Sequence, residues 1–223
     1  MGNDRNPRFR LPRCGFRMAG IVLGVCLCMP LPAWASAQGS RSSVVARLDG
    51  ITTFTARFSE TVSDPALKTH RHHRGRVWIE RPNRFRWVYK TPTAETIVSN
   101  GRALWVYDIA LEQVTVRPLS RGLGSTPAML LAGTRSLTRL FVIRKLGLTG
   151  GLAWYRFTPR SHHGTFRRVE IGFQGRILRV MRLWDRLGEE TEIRFSHVRV
   201  NAPIRPRRFR LRVPSGVAVI GHP

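Results

Sequence analysis

The sequence predicts a mainly β protein: about ten to eleven short strands in one antiparallel sheet that curls on itself, with a few short α-helices closing its mouth. Three observations carry this expectation. Apolar and polar residues alternate with a period of two along most of the chain, as in Arg84-Phe85-Arg86-Trp87-Val88-Tyr89-Lys90, where the three aromatics share one face of a strand. Turn signals at Pro82-Asn83, Asn100-Gly101, Gly150-Gly151, Gln174-Gly175 and Leu187-Gly188 join the stretches by short connections, which suit antiparallel neighbours. Helical spacing is confined to a few short segments that cannot cover so wide a sheet, so the sheet must bury its apolar face against itself.

In chain order, Arg5, Arg8, Arg10, Arg13 and Arg17 precede an apolar run from Met18 to Pro32 and the small-x-small patterns Ala33-Trp34-Ala35 and Ala35-Ser36-Ala37. This reads as a secretory signal peptide over residues 1–37, because the run is shorter than the roughly 20 residues of a spanning helix. Residues 38–223 then form a single domain. All three cysteines (Cys14, Cys26, Cys28) fall in the leader, which leaves the mature chain without thiol chemistry. Ser42 to Ile51 spaces Val44, Val45, Leu48 and Ile51 as a helix, capped by Ser42 or Ser43. Strands are expected at Phe54 to Thr61, Arg76 to Glu80, Arg84 to Lys90, Ala103 to Tyr107 and Gln113 to Arg117. Thr126-Pro127-Ala128-Met129-Leu130-Leu131-Ala132 opens a second helix with Thr at the cap and Pro in the first turn, and helix continues over Ser136 to Phe141. Further strands run over Ala153 to Thr158, Phe166 to Phe173, Ile177 to Trp184, Glu192 to Val200 and Arg208 to Val213. The interior is expected to hold Phe54, Phe58, Trp78, Phe85, Trp87, Trp105, Tyr107, Trp154, Tyr155, Phe157, Phe173, Trp184, Phe195 and Phe209, while the arginine-rich face meets water; spacing alone does not separate a filled core from a lined cavity.

The chain carries 38 Lys+Arg against 13 Asp+Glu, a formal net charge of +25. With the leader removed, 33 basic and 12 acidic residues remain. The arginines are spread over many strands rather than gathered in one stripe, which argues for a solvated sheet face and against a nucleic-acid site. No nucleophile elbow and no zinc-protease motif is present, and the histidines of His70-x-His72-His73 and His162-His163 lack nearby carboxylates or thiolates, so neither a catalytic nor a metal site is expected.

In Glu80-Arg81-Pro82-Asn83-Arg84-Phe85-Arg86-Trp87, in Ile97 to Asp108 with its Leu104-Trp105-Val106-Tyr107-Asp108, in Thr126 to Leu131, in the strand pair from Phe166 and in Phe209 to Ile220, the chain resembles the LolA family of periplasmic outer-membrane lipoprotein carriers. The resemblance runs in order from about Leu48 to Ile220. It implies an unclosed barrel with a lid of short helices over an apolar cavity that takes the acyl chains of lipoproteins. It implies cavity residues at Phe54, Phe58, Trp78, Phe85, Trp87, Ile97 and Leu104, lid residues at Thr126, Pro127, Met129, Leu130 and Leu131, and a latch at Arg81 bonded to lid-helix carbonyls. It further implies a periplasmic monomer without cofactor, loaded by the inner-membrane ABC transporter LolCDE and unloaded at the receptor LolB. A glycolipid shuttle or an envelope-stress sensor on the same fold is the alternative. The chain departs from the family pattern at Glu60, where Gln is common, at Ile109-Ala110, where Pro-Asp is common, and at Ala218, where Asp is common.

Overall fold

In a computed structural model of the chain, the described residues are 44–119, 127–133, 137–162 and 164–223. The expected leader, Ser42, Ser43, Thr126, Ser136 and His163 lie outside them. After a helix over 44–49 (α1), the chain forms β1 (Thr53–Asp64), β2 (Thr69–Glu80), β3 (Arg84–Thr91), β4 (Glu95–Asn100), β5 (Ala103–Asp108) and β6 (Gln113–Pro118). The short helices α2 (Pro127–Ala132) and α3 (Leu137–Leu140) follow, then β7 (Phe141–Thr149), β8 (Leu152–Pro159), β9 (Phe166–Gln174), β10 (Ile177–Asp185), β11 (Glu190–Val200) and β12 (Ala218–Gly221).

The twelve strands make one sheet in the order β12-β6-β5-β4-β3-β2-β1-β11-β10-β9-β8-β7, so β12 and β7 are its two ends and the sheet is not closed. Every ladder is antiparallel except β12 on β6. One hydrophobic cluster draws side chains from Leu104 of β5 through Phe58, Phe195 and Phe173 to Ile143 of β7, together with Leu48 of α1 and Leu131 of α2. The sheet therefore curves around a single interior that the helices cap.

Three strands beyond the sequence expectation have physical reasons. In β4, Ile97 faces inward while Val98 on the other face is fully buried, so both faces are apolar and no alternation marks the strand. β7 begins in the segment expected to end as helix and is bulged between Lys145 and Gly147, which interrupts its period. β12 is four exposed residues on an edge.

The expected strand at Arg208 to Val213 is corrected. Pro206–Phe209 is a 3-10 turn, and the segment after it joins no ladder. This tail crosses the outer face of the sheet. Phe209 is 1% exposed there beneath the Arg84 guanidinium, 5.8 Å from the ring centre, and Arg208 stacks on Trp78 at 4.6 Å. Alternation made the tail look like a strand because an extended chain lying on a surface also buries every second residue.

The expected interior placement of several aromatics is corrected as well. Trp78 alternates with the buried, inward Val77 and Ile79, and Trp105 and Tyr107 with the inward Leu104 and Val106, so all three point outward. Trp154 lies over Gly172 on the outer face under the Arg182 guanidinium at 4.6 Å, and Trp184 lies under Arg168 at 3.7 Å. Arginine stems and planes cover indole rings that would otherwise meet water. Phe54, Phe58, Phe85, Trp87, Tyr155, Phe157, Phe173 and Phe195 do face the common core.

Candidate functional site: a helical lid bridged by Arg81 and the concave face beneath it

The β2–β3 turn carries Arg81 to the place where α1 and α2 end. Its Nε donates to the Leu131 carbonyl at 2.8 Å and its Nη1 to the Leu48 carbonyl at 2.8 Å, with the Asp49 carboxylate 3.7 Å from the same nitrogen. Two residues on, the Asn83 N–H donates to the Ala132 carbonyl at 2.8 Å, and the Ser99 hydroxyl holds the Asn83 carbonyl at 2.7 Å. The last carbonyls of a helix have no α-helical partner within it, and the Leu48 carbonyl, which also accepts from the Ile51 N–H at 3.1 Å, has a second lone pair for Arg81. A planar fork with several donors meets that need at two helices at once. The Arg81 side chain is 16% exposed, and its burial works against its charge while Asp49 favours it.

On the underside of the helices, Ala128, Leu131 and Ala132 are buried against the core and Leu130 packs beside them. Pro127 opens α2, in whose first turn it forfeits no helical hydrogen bond. Of the residues expected to line a cavity, Phe54, Phe58, Phe85, Trp87, Ile97 and Leu104 are on the concave face, and Trp78 is on the convex one.

The space under the lid differs from a single apolar hollow. Between the helices and β7 to β9, bounded by Leu48, Leu130, Leu131, Leu137 and Phe157 among others, only about 10 Å³ is free, no more than one water needs. The helices' leucines fill that half of the interior. A larger cavity of about 300 Å³ opens between β1 to β4 and the start of α2, lined by Glu60, His73, Trp87, Tyr89, Thr93, Glu95, Ile97, Pro127 and Ala128. Its wall combines the rings of Trp87, Tyr89 and His73 with the polar Glu60, Thr93 and Glu95 and the apolar Ile97, Pro127 and Ala128. Phe58 packs on Trp87 with ring centres 4.7 Å apart and on Tyr89 at 5.2 Å. Phe58 can lie there because its cross-strand partner is Gly75, where an added Cβ would come 2.6 Å from the ring.

The Tyr89 hydroxyl donates to Glu60 Oε2 at 3.1 Å. Burial lifts the Glu60 carboxyl to about 7, the tyrosine bond opposing and Glu95 and Glu189 reinforcing the rise. Burial and the neighbouring Glu60 push the Tyr89 hydroxyl upward, and burial with Asp108 raises Glu95. Sequence reading treats Glu60 as a family departure and does not make Tyr89 or His73 a site residue; the signal was present, since Glu60 falls between Phe58 and Val62 on the inward side of β1's alternation. His70 and His72 are exposed on β2, hydrogen-bonded to Ser63 and Thr61, while His73 turns inward against the Tyr89 ring.

Comparison with known proteins places this architecture. Residues 49–212 match the family model described as outer membrane lipoprotein carrier protein LolA. Proteins named outer-membrane lipoprotein carrier protein are similar over most of their length: that of Nitrosospira multiformis is 40% identical over 78% of this chain and 84% of its own, and that of Nitrosomonas europaea 38% identical over 90% and 96%. The protein of the same name from Methylococcus capsulatus is 36% identical over 86% of this chain and 94% of its own. A crystal structure of an uncharacterized conserved protein from Thermus thermophilus shares the fold, with a TM-score of 0.53 over 81% of this chain and 98% of that one at 13% identity. An open, lidded sheet and a match that runs from α1 into the outer-face tail agree, and the chain belongs to the LolA family.

Proposed function

We propose that this chain is a periplasmic carrier that shields the acyl chains of lipoproteins inside its curved sheet and shuttles them from the inner to the outer membrane. The observation that carries the reading is the Arg81 fork, which ties the ends of two separate helices over an apolar interior. A single side chain that bridges two helix ends is one point at which both can be released.

Energetics support a latch. Burying a sixteen-carbon acyl chain contributes roughly 12 kcal/mol at about 0.8 kcal/mol per CH₂, so an always-open carrier would retain its cargo. Here the leucines of α2 fill the apolar half of the interior, and a guest has to displace them. Each charge-assisted bond of Arg81 is worth about 1.5 to 3 kcal/mol, and recovering those bonds with the leucine contacts on closure offsets part of the cargo's burial. Loading then needs an external source of work. An ABC transporter of the LolCDE kind at the inner membrane and a receptor of the LolB kind at the outer membrane fit that cycle, and the leader over residues 1–37 fits delivery to the periplasm. The chain acts by binding and release rather than by catalysis.

The test is lipoprotein transfer by Arg81→Leu. The variant is expected to accept acylated lipoprotein and to pass it to acceptor membranes at least tenfold more slowly than the wild type. Transfer at the wild-type rate would sink the latch.

A further inference from the structure

We propose that the cavity between β1 to β4 and the start of α2 binds an organic ammonium group, held by the Glu60 carboxylate within a wall of aromatic rings. The site deepens the carrier reading and rests on it for where the rest of the guest lies: the cavity adjoins the interior meant for acyl chains.

The argument begins with a missing partner. Glu60 is 6% exposed in a chain of 38 basic residues, yet among the described residues its single hydrogen bond is the one from Tyr89, and no arginine or lysine pairs with it. Glu170, buried to the same degree at 7%, has the Arg156 guanidinium at 2.8 Å. A buried carboxylate is costly until a cation meets it. Beside Glu60 the cavity wall presents Trp87 and Tyr89, with ring centres 6.4 Å apart, and Phe58 packs against both at 4.7 and 5.2 Å. Aromatic faces beside a carboxylate are the chemistry of ammonium recognition. The volume, about 300 Å³, suits a head group rather than a chain. In the same wall the buried Trp87 N–H meets no acceptor with hydrogen-bond geometry among the described residues, although it lies close enough to the Tyr89 oxygen to favour charge there. An oxygen beside the guest's ammonium would satisfy it.

Charge at the site changes near neutrality. β1 offers Glu60, β2 His73 with Arg71 and His72 nearby, β3 Tyr89, β4 Glu95 with Asp108 beyond it, and the β10–β11 turn Glu189, whereas α2 presents only the uncharged Pro127 and Ala128. Burial lifts Glu60 to about 7 and, with Arg71, holds His73 below its ordinary value. The pocket therefore gains negative charge as pH rises through neutrality.

Calorimetric titration with decyltrimethylammonium, decanol and chainless tetramethylammonium tests this. Both ammonium probes are expected to bind about tenfold more tightly at pH 8 than at pH 6, the ratio of ionised Glu60, and decanol equally at both. Glu60→Gln, isosteric and able to keep the Tyr89 bond, should abolish the pH dependence and weaken ammonium binding about tenfold at pH 8 while decanol binds as before. PH-independent ammonium binding by the wild-type protein, which needs no variant to fold, overturns the proposal, as does no binding of tetramethylammonium. Decanol failing to bind while tetramethylammonium behaves as expected counts instead against the carrier reading. Glu60-dependent binding of lysophosphatidylethanolamine assigns the ammonium to a lipid head group, and of Nα-acetyl-lysine amide to a peptide lysine; dependence with neither overturns the site.

Discussion

The two faces of this one sheet solve the same problem differently. On the concave face, phenylalanines and Trp87 pack with the helices' leucines, and the buried acid there, Glu60, has only a tyrosine hydroxyl among the described residues. On the convex face, Trp154 and Trp184 sit beneath arginines, and the buried Glu170 lies between Arg156 at 2.8 Å and Arg168 at 3.9 Å. Beside it Arg182 and Arg194 both reach Glu192 at 2.7 Å. On the outer face the buried acid is paired with arginines, and arginine planes cover the indoles. The inner face leaves the buried Trp87 N–H without an acceptor among the described residues and covers its apolar surface with two short helices bridged at their ends by Arg81.

Three substitutions sharpen that contrast, in order of expected size. Phe209→Ala should cost about 3 to 5 kcal/mol in denaturant unfolding, the usual loss for a buried phenylalanine, since the ring is 1% exposed on the outer face. A cost below about 1 kcal/mol would mean that the tail adds no outer core. Glu60→Gln should stabilise the protein by about 3 kcal/mol at pH 8 and leave stability at pH 4 unchanged, because the folded-state carboxyl titrates at about 7 against 4.5. The sign follows from the rise: protonated Glu60 carries no penalty below 4.5, and the penalty for ionising it grows as pH climbs to about 7. Thermal melts at the two pH values read this, and equal shifts would deny the inner acid its special state. Arg156→Met should destabilise by about 2 kcal/mol by stranding Glu170, with Arg168 limiting the loss. Adding Glu170→Gln should restore most of it, and no recovery would argue that Arg156 acts through packing alone.

Most strands were legible because period-two alternation follows directly from the pleat. β1, β3, β9, β10 and β11 fall where the alternating stretches are, and α2 begins at its Pro. β4 was illegible for the opposite reason, with Val98 buried as deeply as its inward neighbours. Arg208 to Val213 carries a flawless alternation and forms no strand. The site was legible in part: the family resemblance implied bonds from Arg81 to the lid helix, and its Nε reaches the Leu131 carbonyl there, but its second bond, to Leu48 thirty-three residues earlier, joins segments that no local pattern relates.

By itself the sequence determined most of the strands, the antiparallel pairing of neighbours joined by short turns and the presence of two faces, because side-chain direction and turn chemistry are local. Which face is inside was decided only by the fold. Alternation fixes that Trp78 opposes Val77, yet an arginine can shelter an indole from water as well as a core can, so hydrophobicity alone does not choose between them. The tail on the outer face, the fork across two helices and the solitary carboxyl beneath them all depend on long-range contacts, and those exist only once the sheet has curved.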